Sequence, residues 1–310
     1  MKNRKPPTIV TLGSSRVLQF RSNMFDVPFY NAGLAAMTLS DFKPFMQSIP
    51  KNQYPKYLII NLDAWMFNAQ WDDLKIIPNE NKWSKSETTT PRPKIFKEVW
   101  NDLINKKYTF YLSTHQDSIQ RIGLNANLYN MGLRVDGSMC YGKQIDKLIS
   151  GDSTAEDYNY KKTFRKIAQG NKRFEYGDTL NPKALIILDD FLSFCKQHSI
   201  QVTAFLPPYA EKVYAKMEET HQYSYLDKVY PAVAPILKKY DYEFYDYTHI
   251  EQFHSSDGET LDGFHGGEVT YLRLLIHMLE SGSQLNEITN IERLKKDLKN
   301  RINNYTVYSY

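Results

Sequence analysis

The sequence predicts an α/β fold in which helices cover both faces of a central parallel sheet. Short, nearly continuous apolar stretches alternate with amphipathic helical stretches, and polar residues follow the ends of the predicted strands. Strands that are buried on both faces have this continuous apolar character, and the strand-helix alternation is typical of parallel sheets. At 310 residues, the chain can bury a substantial core and could form one large domain or two ordinary ones.

The predicted strands and helices are placed by apolar runs and by the turn and capping residues that bound them. The strands share apolar or β-branched residues bounded by turn signals; they cover residues 9–12, 27–31, 57–62, 201–206 and 243–246. The helices share apolar residues at helical spacing; they cover residues 37–49, 182–198, 209–217, 226–240 and 269–279. Ser40 is a plausible N-cap for the first of these helices. A last apolar stripe over residues 288–302 is interpreted as a packing face.

The strand-helix alternation stops between residues 68 and 181. This stretch contains a polar Ser/Thr cluster near residues 86–90, and helices are predicted at 94–104 and 113–122. We therefore expect a single α/β/α domain over residues 1–310, in which residues 68–181 form an inserted cap or lid. Insertions of this kind often shape a substrate pocket.

Composition excludes several classes of function. The 39 basic and 35 acidic residues leave a net charge of only +4, without a basic block of the kind that binds nucleic acid. Cys140 and Cys195 form neither a disulfide framework nor a metal-ligand spacing, and no cofactor is expected. No run of 18 apolar residues is present, so the chain as written is expected to be soluble. It would be extracytoplasmic if an N-terminal anchor had been removed.

The first stretch that indicates chemistry is Gly13-Ser14-Ser15-Arg16, between the first predicted strand and a helical pattern. Glycine permits a close or strained backbone there, and the free N–H groups of a helix start favour negative charge. A serine in such a turn can act as a nucleophile beside an anion site. The alternative is that Ser14 or Ser15 simply caps the helix.

The second stretch lies near the other end, at Asp262-Gly263-Phe264-His265. A spacing of three residues in a turn puts the carboxylate and the imidazole on the same side. A carboxylate that orients a histidine, with the histidine acting as base toward a hydroxyl, is the general arrangement of an activated nucleophile. The alternative is that Asp262 only caps the helix that follows.

The order of these motifs resembles the SGNH (GDSL-type) hydrolase superfamily. The chain has a strand that ends in Gly-x-Ser, an Asn31-Ala32-Gly33 turn, a strand followed by a polar residue, and a late Asp-x-x-His. Within that superfamily it is most similar to the acyl-transfer branch, which includes DltD-like proteins and relatives of alginate acetyltransferases. The resemblance implies a flavodoxin-like α/β/α sandwich with a serine esterase or O-acyltransferase site.

The resemblance also implies roles for individual residues. Ser15 corresponds to the nucleophile, His265 to the base and Asp262 to the carboxylate that orients it. Gly33 matches the glycine whose N–H forms the oxyanion hole together with the N–H of Ser15. The third donor of the family is an asparagine, but Asp63 stands at the nearest position, and an ionised carboxylate cannot donate. Loss of one donor costs about a hundred- to a thousandfold in rate.

Two functions remain open at this point. The first is an esterase or O-acyltransferase that acts on acylated carbohydrate or a surface polymer, with a possible membrane-bound acyl donor as partner. The second is a non-catalytic protein of the same fold that binds or assembles polysaccharide machinery. Weaker candidates are sugar stacking by Trp65, Trp71, Trp83 and Trp100, a metal site at His249 and His254 with Asp246 and Asp257, and an anion contact by Arg16. Their alternatives are ordinary packing, solvated loops and a salt bridge.

Overall fold

The computed structural model describes residues 6–71, 74, 93–106, 121–123, 126 and 129–309, and a five-stranded parallel sheet lies at its centre. The strands are β1 (Ile9–Gly13), β2 (Phe29–Gly33), β3 (Tyr57–Asn61), β4 (Met131–Leu133), β5 (Met139–Tyr141), β6 (Gln201–Leu206) and β7 (Glu243–Asp246). The central sheet has the order β2-β1-β3-β6-β7, and β4 and β5 form a separate antiparallel hairpin. All four pairings within the central sheet are parallel.

Helices cover both faces of this sheet. The helices are α1 (Leu39–Gln47), α2 (Pro93–Ile104), α3 (Gly142–Ile149), α4 (Lys161–Gln169), α5 (Pro182–Gln197), α6 (Glu211–Glu219), α7 (Leu226–Lys239), α8 (Glu268–Glu280) and α9 (Ile291–Lys299). Helices α1, α5 and α7 bury their apolar sides in one core, whereas α8 and α9 contribute to the other. Because side chains alternate along a strand, Leu58 and Ile60 lie in the first core and Ile59 in the second. The result is a three-layer α/β/α fold.

The strand order identifies the edge at which a site is expected. Numbered among themselves in chain order, the five sheet strands are arranged 2-1-3-4-5, which is the flavodoxin-like order. The chain moves outward from β1 to β2 and then returns to the other side of β1 as β3. Open α/β sheets bind ligands outside the carboxyl ends of the strands at such a switch point. Ser15 follows β1, and Asp63 follows β3, at this edge.

Most predicted elements of the α/β framework are present, with small differences in their bounds. The second strand begins and ends two residues later than predicted, at Phe29–Gly33. Helix α1 is capped by Thr38 and not by Ser40. Thr38 is extended, and its hydroxyl and the Asp41 carboxylate form a reciprocal capping box, so Ser40 falls inside the first turn.

The region predicted as an insertion contains more regular structure than its sequence indicated. The β4–β5 hairpin and helices α3 and α4 were not predicted, because strands of three residues are too short to show a period and the two helices, although amphipathic, have only eight and nine residues. The helix predicted at 94–104 is confirmed as α2. The helix predicted at 113–122 lies almost entirely outside the described residues. Among the helices that the structure describes, none combines the length and the hydropathy needed to cross a membrane.

Candidate active site

The turn after β1 is held against the end of β3 by the side chain of Asn61. Gly13 has φ +151°, and a Cβ at this position would collide with the side-chain oxygen of Asn61. That oxygen accepts the backbone N–H of Ser14 at 3.1 Å. Glycine is therefore required by both its φ and the lack of space, and the short 3-10 helix Ser15–Val17 follows directly.

The two adjacent serines have different environments. Ser14 is fully buried, and its hydroxyl accepts the backbone N–H of Arg16 at 3.2 Å and the amide Nδ2 of Asn61 at 3.2 Å. Ser14 is thus the cap of the 3-10 helix. Ser15 is only half-buried, and its hydroxyl faces a different partner. Of the two capping candidates, the structure assigns that role to Ser14.

The structure brings the two ends of the chain together at Ser15. The distance from Ser15 Oγ to His265 Nε2 is 2.8 Å, across 250 positions of sequence. The other ring nitrogen of His265, Nδ1, lies 2.9 Å from Asp262 Oδ2 and 3.1 Å from Oδ1. The three residues therefore form a continuous hydrogen-bonded series in the order hydroxyl, imidazole and carboxylate.

The Asp262 carboxylate determines which nitrogen of His265 can act as a base. Burial raises the pKa of Asp262, but the charge of a protonated His265, its ring hydrogen bond and the backbone N–H groups of Phe264 and His265 together outweigh it, and the net pKa lies below its ordinary value. The carboxylate is therefore ionised at neutral pH and can only accept, so Nδ1 carries the proton. In the neutral imidazole, Nε2 then has a free lone pair that accepts the Ser15 hydroxyl.

The Asp262 turn is held mainly by hydrogen bonds among its own residues. Asp262 Oδ1 accepts the backbone N–H groups of Phe264 at 2.8 Å and His265 at 2.6 Å. The N–H of Leu261 donates to the carbonyl of His265 at 2.8 Å, which closes the turn from the other side. A spacing of three was predicted to place the side chains of Asp262 and His265 together. They do lie together, in an Asx-type turn that precedes α8.

The predicted oxyanion donors are placed less favourably. The N–H of Gly33 already donates to the side-chain oxygen of Asn31 at 2.8 Å. The N–H of Ser15, by contrast, has no acceptor among the residues that the structure describes. Of the two expected backbone donors, only that of Ser15 is open in this conformation.

Asp63 is engaged with Arg16. Both side chains are fully buried, and Arg16 Nη1 donates to Asp63 Oδ1 at 3.3 Å. Burial raises the pKa of Asp63, and the Arg16 charge opposes this effect without cancelling it. The guanidinium also donates to the carbonyl of Pro208 and lies 4.5 Å from the ring centroid of Tyr209. Asp63 therefore has a partner of its own, and the buried Arg16 cannot contact a substrate anion in this conformation.

The burial of Arg16 is the feature that sequence reasoning missed. An arginine directly after a candidate nucleophile was expected to contact an anion or to form a salt bridge at the surface or at the sheet edge. The salt bridge is present, with Asp63, but it lies in the interior. The Arg16 guanidinium lies 4.6 Å from the ring centroid of Phe264, the neighbour of His265. The apolar character of Tyr209 and Phe264 was visible in the sequence, but their convergence on Arg16 was not.

The structure places the weaker candidates, the tryptophans and the histidine pair, in different environments. Trp65 and Trp71 are buried in the core, so they are not exposed to a sugar, whereas Trp100 is exposed and Trp83 lies outside the described residues. Within the described part of the chain, no group of three or more His, Cys, Asp or Glu side chains could hold a metal ion, and the proposed site at His249 and His254 is therefore not formed.

No family model, no curated protein and no solved structure matches this chain.

Proposed function

We propose that this protein is a serine-dependent esterase or O-acyltransferase that forms an acyl-enzyme on Ser15. The observation that carries the proposal is the contact of 2.8 Å between Ser15 Oγ and His265 Nε2, with Asp262 on the opposite ring nitrogen. A nucleophile in hydrogen-bond reach of a base, and the base oriented by a third group, is the arrangement that activates a hydroxyl. Its position at the switch point of the sheet adds support.

The chemical steps follow from this arrangement. As Ser15 Oγ bonds to the ester carbonyl carbon, its proton moves to His265 Nε2 and the carbonyl electron pair moves to oxygen. The N–H of Ser15 faces the negative oxygen. When the carbonyl re-forms, the ester C–O bond breaks and the alcohol leaves with the proton from His265. Water or a sugar hydroxyl then attacks the acyl-enzyme by the same steps in reverse roles.

The finer assignments rest on the resemblance of the motifs. Membership of the SGNH superfamily, in its acyl-transfer branch, is part of the proposal. So are an acetylated carbohydrate or surface polymer as substrate, a membrane-bound acyl donor as partner, and an extracytoplasmic location. The order of the motifs along the chain supports them.

A non-catalytic binding or assembly factor is the second candidate. It is favoured by the engaged N–H of Gly33 and by the ion pair of Asp63, which leave fewer oxyanion donors than an efficient esterase uses. On this hypothesis the serine-histidine pair would persist without turnover.

A fluorophosphonate probe distinguishes the two candidates. We expect covalent labelling of the wild-type protein and hydrolysis of 4-nitrophenyl acetate, both of which disappear in Ser15→Ala. The matched control is Ser14→Ala, which removes the adjacent hydroxyl and should keep both activities. Absence of labelling in folded wild-type protein would favour the binding factor. Addition of a sugar acceptor, with mass spectrometry of the products, then separates transfer from hydrolysis.

A further inference from the structure

A small cavity opens beside the base of the candidate site. Its volume is about 260 Å³, and its lining comprises Lys166, Lys172, Arg173, Phe174, Phe264 and His265. The first four residues come from the end of α4 and the turn that follows it, within the region predicted as an insertion. Residues from the inserted region and from the Asp262 turn therefore share one cavity.

The lining of this cavity is cationic. It contains three basic side chains and no carboxylate. None of the three forms an ion pair within 4.0 Å with any acidic group that the structure describes. Elsewhere, Lys43 and Lys239 each pair with an aspartate, at 2.7 and 2.8 Å. Concentrated, unpaired positive charge in a concave site favours an anionic ligand.

The buried Asp63 offsets the charge of Arg173 only in part, because its ion pair is with Arg16. Two further carboxylates do not reverse the balance either. Asp262 is already bound to His265 and to the backbone of its turn. Glu175 Oε1 accepts the backbone N–H of Arg173 at 3.1 Å, so it supports the turn. Neither carboxylate lines the cavity.

Two of the cations lie in a turn with left-handed backbone. Lys172 and Arg173 have φ values of 55° and 76°, so two successive non-glycine residues adopt the left-handed conformation. The Arg173 guanidinium lies 5.5 Å from the ring centroid of Trp65, which anchors one cation toward the interior.

The apolar walls strengthen the attraction. Phe174 and Phe264 are 1% and 7% exposed, so one side of the cavity has little polar surface. Opposite charges interact more strongly beside low-dielectric walls than in open water. The alternative interpretation, a solvated lysine surface, accounts neither for these walls nor for the shared boundary with His265.

We propose that this cavity binds a phosphate or carboxylate group on the alcohol part of the substrate, so that the enzyme acts on anionic carbohydrate or polymer. The proposal rests on the proposed acyl transfer for its assignment to the alcohol part. His265 returns a proton to the leaving alcohol and removes one from the incoming acceptor. Groups that share a cavity with His265 therefore face the alcohol and not the acyl group.

A binding experiment tests the cationic cavity without turnover. Ser15→Ala protein is titrated by calorimetry with glucose 6-phosphate, glucuronate and glucose. We expect one or both anionic sugars to bind at least about tenfold more tightly than glucose, because charge-assisted hydrogen bonds contribute on this scale. The phosphate and carboxylate arms identify the preferred anion. Equal binding of all three sugars, or of none, overturns the proposal.

Variants assign the effect to the named residues. Lys172→Gln/Arg173→Gln should abolish the preference for the anion, whereas the matched control Lys196→Gln/Lys239→Gln removes two exposed cations elsewhere and should keep it. Circular dichroism and thermal melting establish that each variant is folded; Lys166→Gln, which leaves the turn unaltered, provides a second test. A preference that survives both cavity variants contradicts the assignment.

Matched esters test the orientation in the active enzyme. The carboxylate of 4-acetoxybenzoate is on the alcohol part, and its methyl ester is the neutral control. We expect KM to be about tenfold lower for 4-acetoxybenzoate, and the cavity variants to raise that KM alone. A preference instead for mono-4-nitrophenyl succinate over 4-nitrophenyl butyrate would place the anion on the acyl part. Failure of every ester to react would contradict the proposed function. The anion site would still be tested by the binding experiment, which needs no turnover.

Discussion

The turn that carries Ser15 and the turn that carries His265 meet at one hydrogen bond, yet they are held by different means. The Ser15 turn is fixed by side chains from neighbouring strands. The His265 turn is fixed mainly by Asp262, three residues away in sequence. The comparison indicates that the sheet determines where the nucleophile lies, whereas local turn chemistry determines how the base is oriented.

Two asparagines hold the nucleophile side. Asn61, at the end of β3, bonds both the backbone and the hydroxyl of Ser14. Asn31, in β2, donates its amide to the carbonyls of Val17 at 2.7 Å and Phe20 at 2.9 Å. Because both lie on strands that flank β1, the Ser15 turn is tied to the central sheet.

The base side is more open and is anchored from α8. The side chains of His265 and Asp262 are 23% and 22% exposed. Arg273 of α8 donates its Nε–H to the two carboxylate oxygens of Glu259, at 3.1 and 2.9 Å. The backbone carbonyl of Glu259 accepts the N–H of Gly267 at 2.8 Å. Arg16 connects the two turns, because it extends from the nucleophile side and packs on Phe264 of the base side.

The largest expected effect comes from Asp262→Asn, which alters the base side alone. The side-chain oxygen of the new asparagine would accept the backbone N–H groups of Phe264 and His265, so its NH₂ group would face His265 Nδ1. Because NH₂ donates, Nδ1 would have to accept, and the ring proton would lie on Nε2. That tautomer cannot accept the Ser15 proton, and we expect kcat/KM for 4-nitrophenyl acetate to fall by about 10⁴-fold.

Asp190→Asn is the matched control for this substitution. Asp190 forms an exposed ion pair with Lys43 at 2.7 Å, and exposed pairs contribute about 0–1 kcal/mol. The control should retain full activity. An Asp262→Asn variant with activity within tenfold of wild type would contradict the role of the carboxylate.

The next effect concerns the buried pair that connects the turns. Asp63→Asn leaves the Arg16 charge without its counter-charge, and we expect the free energy of unfolding in urea to fall by about 3–5 kcal/mol. The double variant Arg16→Met/Asp63→Leu removes both charges and should lose much less than the sum of its single variants. Additive losses would contradict the coupling between the two residues.

A smaller effect is expected on the nucleophile side. Ser14→Ala removes the cap of the 3-10 helix and one partner of Asn61, so unfolding should require about 1 kcal/mol less free energy. Fluorophosphonate labelling of Ser15 should continue at a rate within a few-fold of wild type. Loss of labelling without loss of stability would show that Ser14 and not Ser15 is the reactive group.

The smallest effect is a dependence of stability on pH. The folded pKa of Asp262 lies below its ordinary value of 3.8, so its stabilising contribution is complete above that pH and is lost as the pH falls through the folded pKa. We therefore expect the difference in unfolding free energy between wild type and Asp262→Asn to shrink as the pH falls below about 3.8. A difference that grows as the pH falls would contradict the lowered pKa.

The predicted framework agrees with the structure where local patterns are strong. The apolar runs at β1 and β3 are buried on both faces, so few alternatives to a parallel sheet exist for them. The β4–β5 hairpin and α4 were not predicted, because their strands of three residues and helix of nine are too short for a clear local pattern. The donated N–H of Gly33 was also not foreseen, since it depends on the rotamer of Asn31.

From the sequence alone, the α/β class, the serine turn, and the Asp262–His265 spacing follow, because each depends on residues within a few positions of one another. Only the tertiary structure decided that Ser15 and His265 lie 2.8 Å apart, that Arg16 is buried on Asp63, and that the inserted region contributes cations beside His265. These contacts join residues that are dozens to hundreds of positions apart. Their formation depends on how the layers pack, which no local pattern specifies.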